Sequence, residues 1–243
     1  MMSIVVIPAR YASTRLPGKP LRKIKDIPMI LRVAEKCMKS KADRVIVVTD
    51  SQEILEVCEG FEGLESSMSS PDLQSGTDRV AVVAKYLEDE VVINVQGDEP
   101  FIDPKLIDEL IDDLENNKDI KMNTAACRFD AGEDVSDPNS VKVVKDKNGM
   151  ALYFSRSVIP HDRDGGSKVE YFKHIGIYGY RKDWLMEFTE LEPSSLEQIE
   201  KLEQLRALEN GTGIKVIETK YKPVSVDTEE DLKKAEEILN GMD

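Results

Sequence analysis

Cysteine is scarce: Cys37, Cys58 and Cys127 are the only three in 243 residues, odd in number and widely spaced. That excludes a disulfide framework and a cysteine metal knuckle, and Cys37 and Cys58, in helical-looking stretches, read as core. Long apolar runs are missing too. None reaches eighteen residues, and the first residues lack the cationic flank, apolar core and cleavage site of a signal peptide, so a cytoplasmic protein with no membrane partner is expected. Positive charge is in short supply, with 33 Lys and Arg against 47 Asp and Glu and a net charge of -14. Nucleic acid is therefore not expected as a partner, since neutralising its phosphates takes a basic face. An acidic chain that binds a small anion has to gather its cations in one place or recruit metal ions.

Such a gathering stands at the start of the chain. The apolar run 4–7 has the length of a buried strand, and it leads into a loop carrying Arg10, Arg15 and Lys19 among small residues, with Pro17, Gly18 and Pro20. In open α/β sheets ligands sit beyond the carboxyl ends of the strands, so this loop is expected to hold an anion of several phosphates. It is not a common phosphate loop. Gly18-Lys19 is followed by Pro20 rather than Ser or Thr, and no G-x-G-x-x-G follows the strand, which disfavours P-loop NTPases and dinucleotide oxidoreductases.

The chain continues as alternating strands and helices: a helix over 29–38, a β-branched strand over 45–49, and a helix capped by Asp50-Ser51. This is the pattern of a doubly wound α/β fold, and 243 residues suit a single domain, 1–243. The stretch 69–79 is dense in donors and acceptors ahead of a helix marked by Val80, Val82, Val83, Tyr86 and Leu87. Thr77 and Asp78 read as a routine cap and first-turn acid. Gln74, Ser75 and Arg79 read equally as a set facing the polar edge of a base.

A third strand, 91–95, ends in Gln96, in Gly97, which allows close backbone approach, and in Asp98 and Glu99. A carboxylate there, facing a phosphate site, is placed to hold Mg2+, which takes one or two carboxylates plus phosphate oxygens. Asp98 is assigned that role; Glu99 either shares the site or begins the turn into the helix at Pro104. From 121 to 180 the alternation loosens into strand-like runs with an Asn148-Gly149 hairpin turn, a mixed-sheet excursion expected to supply a second binding wall and a dimer surface. Residues 162–167 read as a mobile loop. His174, beside Arg156 in this wall, is expected to touch ligand. Residues 194–208 read as one amphipathic helix with Leu202, Leu205 and Leu208 in the core. Thr228 with Asp231 forms a capping box, which leaves Asp227 without a local task and free to be a second metal ligand.

Taken together, the runs IPARYASTRLPGKPL, QSGTDR, NVQGDEP, ALYFSR, HIGIYGYR, LEQLRALENG and VDTEEDL, spread over nearly the whole chain, resemble the sugar-acid cytidylyltransferases and above all their branch acting on 3-deoxy-manno-octulosonate (Kdo). The resemblance implies a Rossmann-like nucleotide-diphospho-sugar transferase fold with a mostly parallel sheet, and a homodimer. It implies CTP and Kdo, or a close sugar acid, as substrates and Mg2+ as cofactor. On it, Arg10, Arg15 and Lys19 hold the triphosphate, with Ala9 and Gly97 near the nucleotide; Gln74, Ser75 and Arg79 recognise cytosine. Asp98 and Asp227 hold the metal. Gln96, Arg156, His174, Glu203 and Gln204 line the sugar pocket, Arg156 taking the carboxylate in its planar fork. The alternatives are the same transfer to an 8-amino Kdo or sialic-type acid, and a nucleotide-binding regulator that has lost the chemistry.

Overall fold

The structure, a computed structural model, describes residues 1–13, 15–165 and 169–242, the side chain of Met242 excepted. Thr14 of the opening loop, and Gly166 and Ser167 of the loop expected to be mobile, lie outside the described residues.

The first half alternates as its pattern requires: β1 (Ser3–Ala9), a small hairpin of β2 (Lys23–Ile24) and β3 (Ile27–Pro28), α1 (Met29–Cys37), β4 (Arg44–Thr49), α2 (Gln52–Glu59), β5 (Glu65–Met68), α3 (Gly76–Ala84), β6 (Val91–Asn94) and α4 (Pro104–Asn116). Strands β5, β4, β1 and β6 lie side by side and parallel, with Ile7 opposite Val47 and Val6 opposite Asn94. Their near-continuous apolar runs follow from burial on both faces. Val5 and Ile7 of β1 pack with α1 on one face, while Ile4 and Val6 pack with α3 on the other. Each face removes fully buried aliphatic side chains from water, at about 1.5–3 kcal/mol apiece.

The second half completes the same sheet with β7 (Met122–Arg128), β8 (Lys142–Lys145), β9 (Ala151–Ser155), β10 (Phe172–Arg181), α5 (Lys182–Thr189), α6 (Ser195–Glu200), α7 (Leu205–Glu209), β11 (Ile214–Glu218) and α8 (Glu229–Met242). The strand order is β11-β7-β10-β6-β1-β4-β5, with β10 antiparallel to both neighbours. The mixed character expected for 121–180 is present, but β7 and β10 are inner members of the main sheet, and only the β8–β9 hairpin departs from its path. Gly179 is required in β10, since a Cβ there would stand 2.2 Å from the Asn123 side-chain oxygen.

Three local expectations are corrected. Residues 194–208 form two short helices, not one, because Lys201 adopts a left-handed conformation (φ 55°) after α6. Arg206 bridges the break by pairing with Glu197 at 2.6 and 2.8 Å, and Ile199, which one continuous amphipathic helix would bury, is 77% exposed. The cap of α3 is Ser75, in a reciprocal box with Asp78, rather than Thr77; Val82 and Tyr86 face outward. Ser51 stands at the start of α2 without a side-chain cap bond, and the Asp50 carboxylate accepts from Tyr11 and Arg79 instead. The capping box of Thr228 and Asp231 forms as expected.

Among the described residues no helix is long and apolar enough to cross a membrane.

Candidate functional site

The opening loop owes its shape to one buried side chain. Leu16, fully buried with Ile24, Met29, Val226 and Leu232, nails the loop between the β2–β3 hairpin and α8. Gly18, in a left-handed conformation (φ 65°), turns the chain into a short 3-10 turn, Lys19–Leu21, which aims Lys19 inward. Arg15, on the other side of Leu16, stays two-thirds exposed.

Beyond the carboxyl ends of β1 and β6 lies a cleft of about 440 Å³. Ala9, Arg10, Arg15, Lys19, Gln74, Ser75, Gln96, Gly97, Asp98 and Asp227 all line it. Arg10 donates to the Leu73 carbonyl, so the cationic loop meets the 69–75 segment across the cleft. The first turn of α3 forms part of the wall, and a helix N-terminus offers donors to an anion. Gly97 does permit a close approach, though the partner is the protein's own backbone: a Cβ would lie 3.2 Å from the Pro8 carbonyl oxygen.

The carboxylates expected to act together converge. Lys19 Nζ lies 2.5 Å from Asp98 Oδ2 and 2.8 Å from Asp227 Oδ1, and Arg15 reaches the same Asp227 oxygen at 2.9 Å. The turns carrying the two acids are tied by a 3.0 Å bond from Val226 N to the Asp98 carbonyl. Burial works to lower the Lys19 pKa, but the attraction of Asp98 and Asp227 outweighs it and the ammonium is held above its ordinary value. Among the described residues no group of three or more His, Cys, Asp or Glu side chains is spaced to hold a metal unaided. Two convergent carboxylates beside a cation-lined cleft suit an ion that draws its other ligands from phosphate oxygens and water, as Mg2+ does.

A second cavity, about 340 Å³, opens on the other side of these acids and shares Gln96, Asp98 and Asp227 with the first. Its wall includes Asn139, Ser140, Lys173, His174, Tyr178, Gln204 and Ser225. His174 packs edge-on against Phe154 and bonds to Thr124 at 3.0 Å; burial pushes its pKa down to about 3, so the ring is a neutral wall and hydrogen-bonding group. Gln204 is 3% exposed with its side-chain nitrogen unpartnered by protein, a donor left for a ligand. Glu99 is buried, accepts from Ser225 and from Tyr221 at 3.3 Å, and its pKa is pushed up to about 7, chiefly by burial.

Three assigned residues do not line either cavity. Arg79 is fully buried and ties Ser69, the Ser70 carbonyl and Asp50 together, so it braces the 69–75 segment from behind. All three nitrogens of the Arg156 fork donate to backbone carbonyls, those of Glu200 (2.8 Å), Pro138 (2.9 Å) and Lys201 (3.4 Å), so the side chain braces the wall from outside the cavity. Glu203 does not join the wall of the second cavity and accepts instead from Thr77 at 2.5 Å. Sequence reasoning missed Lys142, fully buried, whose ammonium gathers the carbonyls of Asp137 (3.0 Å), Ser140 (2.7 Å) and Arg156 (2.5 Å) and so holds the 137–140 segment of the second wall. On a strand that begins and ends in lysine, Lys142-Val143-Val144-Lys145, nothing local marked the first for that task.

Comparison with known proteins agrees with this geometry. The cytidylyltransferase family matches residues 4–220. The chain is 46% identical to a 3-deoxy-manno-octulosonate cytidylyltransferase of Fusobacterium nucleatum over 99% of this chain and 96% of that one. It is 51% identical to one of Thermodesulfovibrio yellowstonii over 99% of each. Among solved structures, a CMP:2-keto-3-deoxy-manno-octonic acid synthetase complexed with CTP superposes with a TM-score of 0.95 at 38% identity, covering 100% of both chains. A glucose-1-phosphate thymidylyltransferase from Bacillus anthracis shares the fold alone, with a TM-score of 0.70 at 15% identity. A cationic loop after the first strand, a carboxylate pair between two cavities and these full-length likenesses agree: the chain is a nucleotidyltransferase that belongs to the cytidylyltransferase family, among its 3-deoxy-manno-octulosonate members.

Proposed function

We propose that the chain transfers CMP from CTP to the anomeric hydroxyl of Kdo and releases pyrophosphate. The observation that carries this reading is the junction: two cavities, one lined by cations and one by neutral polar groups, meet at Gln96, Asp98 and Asp227. A transfer between two substrates needs their reacting atoms held at one place in line, and positioning supplies much of the catalysis in such reactions.

In this reading CTP occupies the first cleft, with Gln74 and Ser75 beside the base and Arg10, Arg15 and Lys19 around the phosphates. The sugar acid occupies the second, its hydroxyls facing Asn139, Ser140, His174, Gln204 and Ser225. The anomeric oxygen forms its bond to the α-phosphorus as the bond to pyrophosphate breaks, and Arg15 and Lys19 stabilise the charge that collects on the leaving group. Asp98 and Asp227 would hold Mg2+, which when bound offsets phosphate charge and makes the attacking hydroxyl easier to deprotonate. His174, neutral, orients a hydroxyl without taking its proton. A homodimer is part of the same reading: β9 pairs with β8 alone and carries Leu152, 63% exposed, an edge that a second copy can extend. A cytoplasmic location fits CTP as substrate.

Pyrophosphate release from CTP tests the assignment, measured with Kdo, with an 8-amino analogue, with a sialic acid and with no sugar. Release that depends on Kdo and is fastest with it is expected. Release without any sugar acid, or only with another acid, would overturn it.

A further inference from the structure

We propose that Lys19 is a built-in occupant of the divalent-ion seat, and that a nucleoside triphosphate draws it off, so that triphosphate and metal each promote the other's binding. This rests on the assignment of Asp98 and Asp227 as metal ligands. The ammonium stands within hydrogen-bond reach of both carboxylates at once, at 2.5 and 2.8 Å, and Arg15 takes the same Asp227 oxygen at 2.9 Å. Groups assigned to opposite tasks, cations for phosphate and carboxylates for metal, thus neutralise one another when no ligand is bound.

The one further carboxylate whose charge Lys19 feels among the described residues, Glu99, is engaged by Ser225 and Tyr221. Apart from Asp98 and Asp227, the described residues lining the cleft carry no carboxylate. The Lys19 side chain is only 14% exposed, so leaving its partners without a replacement means placing a poorly solvated charge beside an incoming dication. A triphosphate supplies the replacement. Once Lys19 and Arg15 turn to phosphate oxygens, both carboxylates lose their counter-ions and become open ligands. Linkage makes this reciprocal: a metal on the acids frees the two cations for phosphate by the same factor. Leu16 and Gly18, on either side of Pro17, fix the backbone of the loop, so the exchange needs only side-chain motion at Lys19 and Arg15.

Two binding measurements on the full chain test this without turnover. Mn2+ titration in the absence of nucleotide, read from the resonance of the free ion, should show Lys19→Gln binding one ion about tenfold more tightly than the wild type, within the usual range of site-to-site coupling. Arg15→Gln, at a loop position two-thirds exposed, should show a smaller gain in the same direction. Calorimetry with CTP in chelator should show Asp98→Asn binding metal-free nucleotide several-fold more tightly than the wild type, because Lys19 starts with one partner fewer. Mn2+ bound no tighter by Lys19→Gln or Arg15→Gln, or metal-free CTP bound no tighter by Asp98→Asn, would overturn the proposal. If instead wild type and Lys19→Gln both take up no Mn2+ and turnover persists in chelator, the metal assignment itself fails and the proposal falls with it.

Discussion

The two cavities that meet at Asp98 and Asp227 are built in different ways. The nucleotide side is assembled from contiguous runs: residues 8–20 supply its cations, 74–76 its helix terminus and 96–98 its carboxylate turn. The side proposed for the sugar acid is assembled from shorter pieces farther apart in the chain: 139–141 before β8, 173–176 and Tyr178 on β10, Leu202 and Gln204 at the α6–α7 break, and Pro223 and Ser225 on the approach to α8. One depends on local chain geometry, the other on long-range packing. The first should therefore fail in chemistry when its residues change, and the second should fail in sugar affinity and in stability.

The largest effect is expected at the junction. Asp98→Asn should lower turnover by about 100-fold or more while leaving the melting temperature near that of the wild type, since it removes charge from a site built around charge. Near-normal turnover at saturating Mg2+ would remove Asp98 from the chemistry. Lys142→Met sharpens the contrast from the other side. Three carbonyls would lose a buried donor, each such loss costing about 1–3 kcal/mol, so the melting temperature should fall and the KM for the sugar acid rise, with the KM for CTP little changed. If the CTP constant moved instead, the 137–140 segment would serve the wrong cavity.

Gln204→Ala should weaken sugar-acid binding by about tenfold, the cost of one buried donor, with CTP affinity unchanged. The smallest effect concerns pH. The native His174 ring stays neutral down to about 3, whereas in the unfolded chain it takes a proton near 6.5, so its folded pKa lies below its unfolded one. The ring's own contribution is then complete above about 6.5 and falls by up to about 1.4 kcal/mol per pH unit from there toward 3, while Glu99, pushed up to about 7, works in the opposite direction over the upper part of that range. His174→Gln removes the ring's loss, so the variant should gain stability relative to the wild type as the pH falls, as measured by urea unfolding at pH 7, 6 and 5. An unchanged slope would place the ring in water.

The same contrast governs how much could be read from the sequence. The α/β alternation and the cationic loop were legible because each lies in a run whose neighbours share one environment. Asp227 is legible as a partner for Asp98 across the chain because Thr228 and Asp231 satisfy each other and leave it over. The sugar wall resisted the same treatment. Arg156 has the chemistry to grip a carboxylate, yet backbone carbonyls 18 and 44 residues away claim its fork. Nothing in 194–208 marks Lys201 for a left-handed turn; the break is set by Arg206 reaching back to Glu197 and by the burial of Leu202 and Gln204. Thr77 is a sound cap by local rules, and loses that task to Ser75 because Glu203, 126 residues on, takes its hydroxyl.

The central claim is that Asp98 and Asp227 work as one unit where the cavities join. A double-mutant cycle on turnover with Asp98→Asn, Asp227→Asn and the pair measures this directly. The account predicts that the double variant is hardly slower than either single one, because the first loss already disables the shared seat. Losses that multiply independently would contradict it.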